Sequence, residues 1–394
     1  MSGLLILALV TVAVTTVAKR LAPTPVTVPM IFIALGAGLS QTGLFTLSGA
    51  EEILHFTAEV ALVVLLFLDA AKVNLRELLR ERTIPLRMLL LGLPVAILLG
   101  TVAAWVLLPG WPIFALALIA AILSPTDAAL GQSVITDETV PEMERQTLSV
   151  ESGLNDGLAL PAVMLFASLA AATADGDDRN WPLFITLQLT LGPLAGVALG
   201  TLGGKLFLTA ERRGLSTGTH EGIGAIALAG SAYLAATLVD GNGFIAAFVA
   251  GLSFGHVVRG RCAFIYDFTE GEGKLLSWGA FFLLGLILVP TAIAHLDWPV
   301  FALILASLFL VRPLAIWVSL MGSGLNARTR LFLGWFGPRG LATALFALLV
   351  AGKTDPAFAD QVLMIAINAV WISALLHGLS AAPLARLYGR KAKK

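Results

Sequence analysis

Long apolar runs separated by short polar connections fill the 394-residue chain. A helix that crosses the hydrocarbon layer needs about 20 mostly apolar residues. Thirteen runs approach or exceed that length, at roughly 2–18, 26–43, 53–71, 88–108, 112–136, 143–173, 181–208, 220–239, 243–258, 275–294, 298–321, 331–351 and 358–388. The run 243–258 is the weakest because it is short, and 143–173 has room to begin as a tilted or interfacial helix. The pattern predicts an all-α polytopic membrane protein of about 13 transmembrane helices. No soluble domain is expected, since the longest polar stretches, 72–87 and 209–221, read as loops. The first run has the length of a signal peptide but no basic residues ahead of it. Lys19 and Arg20 follow it instead, so it reads as a retained first span.

Composition agrees. The chain is 58% hydrophobic and 13% charged, against about 25% charge in soluble domains. Its one cysteine, Cys262, excludes an intramolecular disulfide and a cysteine metal cluster. The five histidines have no ligand-like spacing, and a net charge of zero gives no reason to expect a nucleic-acid partner.

Loop charges test the span count. Twenty-one of the 25 basic residues fall in one set of alternate segments: Lys19-Arg20, Lys72 to Arg87, Arg145, Lys205 to Arg213, Arg259 to Lys274, Arg328 with Arg330, and Arg386 to Lys394. The opposite set holds only Arg179 and Lys353, and Arg312 and Arg339 lie inside spans. A missed or extra span would scramble this division. The positive-inside rule therefore places the N-terminus outside and the C-terminus in the cytoplasm, as in a bacterial-type inner membrane.

Charges inside spans are costly and mark function. Five acids (Glu59, Asp69, Asp127, Glu151, Asp156) face two bases, Arg312 and Arg339. The surplus acids need a proton or a metal cation to be tolerated, which is the physical core of an ion/proton exchanger. Two spans are also interrupted. Ser124-Pro125-Thr126-Asp127 sits in the fifth, and Gly337-Pro338-Arg339-Gly340 in the twelfth. Breaks at membrane depth are tolerated where they line a cavity or are buried in protein. Spans five and twelve are seven apart. Spans 1–6 (repeat one, about 1–175) then map onto spans 8–13 (repeat two, about 220–388), with 181–208 as a linker span. Two inverted six-helix repeats with discontinuous crossing helices are the expected architecture.

The sixth span carries Glu151-Ser-Gly-Leu-Asn-Asp156. At 100° per residue Ser152 and Asp156 share a helix face with Asn155 adjacent, while Glu151 lies about 140° from Asp156 and should serve another partner. Gly153 and Gly157 form a small-xxx-small pair expected to admit another helix. A carboxylate beside a neutral amide makes a site that changes charge by one.

With Ser124-Pro-Thr-Asp127, Glu151-Ser-Gly-Leu-Asn-Asp156 and Gly337-Pro-Arg-Gly340 in this order, and Arg312 in the span before the last of them, the chain resembles the cation:proton antiporters that include NhaP-type exchangers and the electroneutral animal sodium/proton exchangers. The resemblance covers essentially the whole membrane domain. It implies that Asp156 binds cation and proton alternately. Asn155 stands where electrogenic relatives have a second aspartate. Asp127 and Thr126 are implied as supporting site residues, with Ser152 as a further oxygen ligand. Glu151 and Arg312 are implied as a structural ion pair, and Arg339 as a residue needed at the crossing. The family has an acid in span three, which Asp69 matches better than Glu59, although Asp69 also suits a charge at the cytoplasmic mouth. A homodimer is implied.

The expected function is secondary-active exchange of sodium, with lithium, for protons, one for one and electroneutral. A potassium/proton antiporter is the alternative within the class, and a cation channel is the rival outside it. A hard cation would take oxygen ligands from Asp156, Ser152, the Thr126 carbonyl and Asp127. No cofactor is implied, since sodium and protons are cargo. An enzyme is not expected. The Tyr266-Asp267 and Gly153-Leu-Asn-Asp156 segments fail the intramembrane aspartyl protease pattern in order and composition, and no nucleophile motif accompanies His377.

Overall fold

Prolines mark several of the places where the helices of this chain bend or stop. The computed structural model describes residues 2–21, 24–43, 50–73, 84–127, 130, 132–135, 137–175, 181–259, 263–352, 354 and 356–392. Of the features above, Arg76, Arg80, Arg82, Arg179, Arg261, Cys262, Lys353, Lys393 and Lys394 lie outside the described residues. The regular elements longer than four residues are helices among the described residues: α1 Ser2–Leu21, α2 Val28–Thr42, α3 Ala50–Lys72, α4 Ile84–Leu107, α5 Ile113–Ile122, α6 Glu142–Asp175 and α7 Trp181–Arg212. They continue as α8 Gly218–Leu238, α9 Gly243–Val258, α10 263–294, α11 Trp298–Ser319, α12 Ala327–Trp335, α13 Leu341–Ala351 and α14 Pro356–Ala392. Among the described residues eight of these are long and apolar enough to cross a membrane, and α2, α5, α9 and α13 are shorter apolar helices.

Three helices contain a five-residue π turn, and each turn ends two residues before a proline. Met88–Gly92 precedes Pro94 in α4, Leu284–Leu288 precedes Pro290 in α10, and Ser307–Val311 precedes Pro313 in α11. Proline has no N–H to donate, and its ring clashes with the carbonyl four residues back. A wider turn shifts the ladder by one residue and absorbs both effects without ending the helix. In α11 this turn carries the helix through Ser307 and Arg312, which both reach the site described below.

Packing divides the helices into two groups. α7, α8 and α3 all pack on α9, with α10 and α2 beside them and α1 at the edge against α2. α4, α5, α6, α11, α12, α13 and α14 form the other group, in which α5 and α13 pack between α6 and α14. The seams between groups run from α3 to α6 and α13, and from α10 to α14. The short helix α9 is held by close backbone approach. A Cβ on Gly251 or Gly255 would meet the backbone of Phe67 or Ala71 on α3.

Two expectations, on the start of α10 and on the Gly153/Gly157 pair, are revised. The tenth helix begins at Ala263, before the apolar run at 275, because residues 263–274 continue the helix as a polar extension. Residues 143–173 lie in one continuous helix through Pro161. The Gly153/Gly157 pair is only half used: a Cβ on Gly157 would strike the Phe248 ring, whereas one on Gly153 would meet nothing within 4 Å.

Candidate functional site

The two interrupted segments cross in the middle of the second group. α5 stops at Ile122 and α12 at Trp335, and residues 123–127 and 336–340 run outside regular helix. They are joined backbone to backbone by the Asp127 amide, which donates to the Pro338 carbonyl at 2.8 Å. The Asp127 carboxylate accepts from the Leu341 amide at 3.0 Å, so an acid sits at the positive end of α13. Gly340 makes room for it, because a Cβ there would collide with the Asp127 side chain. Arg339 supplies the reciprocal contact. Its guanidinium donates to the Ser124 and Pro125 carbonyls at 2.9 and 3.1 Å. A cation thus covers the negative end of α5. Each half-helix end meets the opposite charge, which satisfies backbone groups that no helix can.

α6 lays Glu151, Ser152, Asn155 and Asp156 against this crossing. Glu151 is buried and receives Arg312 bidentately at 2.8 and 3.0 Å, the geometry in which a buried pair is best compensated. Thr126 donates to Glu151 at 3.2 Å and accepts from Asn155 at 2.5 Å, and the Asn155 amide also reaches Glu151 at 3.3 Å. Ser152 donates to the Thr126 carbonyl at 2.8 Å. Two groups expected as cation ligands, the Ser152 hydroxyl and the Thr126 carbonyl, are therefore bonded to each other, and each keeps a lone pair.

Asp156 stands apart from this network. Its Oδ1 and the Oδ1 of Asn155 are buried without a hydrogen-bond partner among the described residues. Its carboxylate feels the charges of Asp127, Asp69 and Glu151. Of the two acids on α3, Asp69 is the one that bears on Asp156. It is half-exposed, with 45% of its side chain accessible, and lies 3.7 Å from Lys72. Glu59 is exposed and accepts a hydrogen bond from Tyr233 on α8.

Several polar residues at the crossing carried no sequence motif. Ser307 accepts from Arg339 at 3.3 Å, and Ser373 accepts from the Arg339 amide at 2.7 Å. His377 is buried against Ser373 and the Trp335 carbonyl, at 3.1 Å from each. Ser373, His377 and Ser380 follow an i, i+4, i+7 stripe on α14, a periodicity that marks one helix face. Among the described residues no group of three or more His, Cys, Asp or Glu is placed to hold a resident metal ion.

The comparisons with known proteins agree with this architecture. Residues 5–387 match the family described as "Sodium/hydrogen exchanger, transmembrane". The chain belongs to the sodium/hydrogen exchanger family. It is an integral membrane protein, and the family consists of cation/proton antiporters, secondary transporters rather than enzymes. The K(+)/H(+) antiporter NhaP of Alkalimonas amylolytica is 29% identical over 387 residues, 97% of this chain and 65% of that protein. The K(+)/H(+) antiporter NhaP2 of Shewanella baltica is 30% identical over 295 residues, 73% of this chain and 49% of that protein. The chain thus spans about half to two thirds of the length of these relatives. The sodium proton antiporter MjNhaP1 of Methanocaldococcus jannaschii superposes with a TM-score of 0.78 at 20% identity, covering 99% of this chain and 98% of that one. The fold is that of the exchanger.

Proposed function

We propose that this chain exchanges a monovalent cation for a proton across the membrane, with Asp156 carrying one or the other. One observation carries the reading. Of the five acids in spans, Glu151 is paired with Arg312, Asp127 caps α13, Asp69 lies by Lys72 and Glu59 is bonded to Tyr233. Asp156 has no ion pair or hydrogen bond among the described residues and has a buried carboxylate oxygen. A carboxylate in that position must be neutralised by a proton or a cation before it can cross a low-dielectric barrier. Asp156, with the oxygens of Ser152, the Thr126 carbonyl and Asp127, would give an all-oxygen set that suits a hard cation.

One carboxylate implies one cation per proton, so the membrane potential does no net work on the cycle. The transporting unit is read as thirteen spans in two inverted repeats, with the N-terminus outside and the C-terminus inside an inner membrane, working as a homodimer. Rocking of the group that holds the crossing against the other group would alternate access. Sodium is the first reading for the ion. Potassium is the second, favoured by the names that the similar curated proteins bear.

The test is proton flux in proteoliposomes challenged in turn with sodium, lithium and potassium. Wild type should respond to at least one cation, with a steady state independent of an imposed potential. Asp156→Ala should abolish the flux. Persistent flux in that variant sinks the assignment, and conductance without counter-flux of protons makes the protein a channel.

A further inference from the structure

We propose that His377 is a positioning residue for the exchange site. It holds the interrupted segment 336–340, and through it Thr126 and Asp127, in working register. The inference rests on the exchange reading above.

His377 contacts none of the site acids. It lies on α14, one turn from Ser373, with its ring beside the Trp335 ring at 5.4 Å. Nε2 is 3.1 Å from the Trp335 carbonyl, and Nδ1 is 3.1 Å from the Ser373 hydroxyl. Nδ1 is also 3.1 Å from the Ser373 carbonyl, so each ring nitrogen faces a carbonyl that can only accept, and the tautomer with its hydrogen on Nε2 is the one that bonds the Trp335 carbonyl. Nδ1 is then an acceptor and takes the Ser373 hydroxyl proton. The Ser373 oxygen in turn accepts the Arg339 amide at 2.7 Å. The other neutral tautomer would donate to the Ser373 carbonyl and set the Nε2 lone pair against the Trp335 carbonyl oxygen. One ring thus ties down both margins of the break: the carbonyl where α12 ends, and the amide one residue before Gly340.

What those margins hold is the first break. Pro338, next to Arg339, accepts the Asp127 amide. The Arg339 guanidinium holds the Ser124 and Pro125 carbonyls, both immediately before Thr126. Non-helical backbone has no ladder of its own to resist displacement. Its register is set by the side chains that fasten it. His377 and Ser373 are two such fasteners, and a third contact, the Trp335 indole N–H to Ser380 at 3.3 Å, extends the same stripe. Loosening them lets Thr126 and Asp127 drift relative to Asp156. That weakens cation binding before it touches assembly of the fold.

The experiment compares wild type, His377→Ala, His377→Gln and Ser373→Ala, each as the full chain in proteoliposomes with sodium and potassium gradients. Hydrogen–deuterium exchange across residues 334–345 is followed in parallel. His377→Ala should speed deuterium uptake in that stretch and raise the half-saturating cation concentration about tenfold, with a smaller fall in maximal rate. Gln retains an amide donor for the Trp335 carbonyl and should recover most of the loss. Its pH profile of exchange should match wild type. Ser373→Ala should resemble His377→Ala, and the double variant should be no worse than either. If His377→Ala yields too little folded protein, Ser373→Ala and His377→Gln carry the test.

Wild-type half-saturation in Ser373→Ala or His377→Ala overturns the assignment. A displaced pH profile in His377→Gln does so as well, since it would make the ring a titrating group of the cycle. A wild type that exchanges neither ion defeats the exchange reading instead, and deuterium uptake then decides the anchoring by itself.

Discussion

The two interrupted segments at the crossing are built from different materials. Residues 123–127 present small oxygen-bearing side chains, Thr126 toward α6 and Asp127 toward α13, while the Ser124 hydroxyl turns back to the Ala120 carbonyl of α5. Residues 336–340 offer no small oxygen ligand. They contribute two glycines that leave room for their neighbours and one arginine that reaches across. The first break displays chemistry, and the second clamps it. The second is itself clamped from behind by α14, through Ser373 and His377. An ion site that must change occupant in every cycle needs ligands able to release, on a frame that does not move with them. Dividing these tasks between two breaks provides both.

The harshest way to break this division is to cut the strut beneath it. Arg312→Ala leaves Glu151 charged, buried and unpaired, which costs about 3–5 kcal/mol. Thermal unfolding in detergent should fall by many degrees, and exchange should be lost with it. A Glu151→Leu/Arg312→Met pair removes both charges. It should regain most of the unfolding temperature while exchange stays impaired, because Thr126 and Asn155 also bond to Glu151. If the pair is as unstable as the single variant, the Glu151–Arg312 strut is not what holds the first break.

Gly340→Ala should come next. The added methyl meets Asp127 at its Cβ and Cγ as well as its carboxylate oxygen, so swinging a side-chain tip cannot relieve the clash. Asp127 has to leave the start of α13. Exchange should fall about tenfold, equivalent to about 1.4 kcal/mol, with a smaller change in unfolding temperature than for Arg312→Ala. Full activity in this variant would mean that Asp127 is dispensable where it stands.

Arg339→Lys should cost less. Lysine keeps the charge at the end of α5 but presents three donors at one point. It cannot hold the Ser124 and Pro125 carbonyls and Ser307 together. A loss of about 1–2 kcal/mol of stability is expected, one or two hydrogen bonds' worth. The half-saturating cation concentration should rise severalfold. An Arg339→Lys protein with an unchanged unfolding temperature would reduce the arginine to a point charge.

Much of this division was legible in the chain. Pro125 with its polar neighbours and Pro338 with its glycines announced both breaks, because they act locally. The excess of acids over bases inside spans followed from counting residues. The pairing of Glu151 away from Asp156 followed from helical angle. What stayed hidden depends on helices meeting across the fold. Ser307 lies 32 residues from Arg339 and Ser373 lies 34 away, and neither stands in a motif. Ser152 was read as a ligand from its place beside Asp156. Its bond to the Thr126 carbonyl depends on a neighbour 26 residues away. The polar start of α10 was missed because an apolar-run count cannot see a helix that leaves the bilayer.

The smallest effect should come from Glu59, and it separates the site from the rest of the span acids. Glu59 and Asp69 share α3, and both are acids at membrane depth in the sequence. They differ in what they face. Asp69 lies where its charge reaches Asp156, while Glu59 is exposed and bonded to Tyr233 on α8, in the group that does not contain the crossing. An exposed contact of this kind is worth about 1 kcal/mol or less. Glu59→Gln keeps an acceptor for the tyrosine and removes the charge. Half-saturation and pH profile should therefore stay within about twofold of wild type, a shift of under about 0.5 kcal/mol. Asp69→Asn, measured beside it, should shift cation half-saturation visibly. If Glu59→Gln gives the larger shift of the two, the functional acid of α3 has been placed on the wrong turn, and the cation path runs along α3 beside α8.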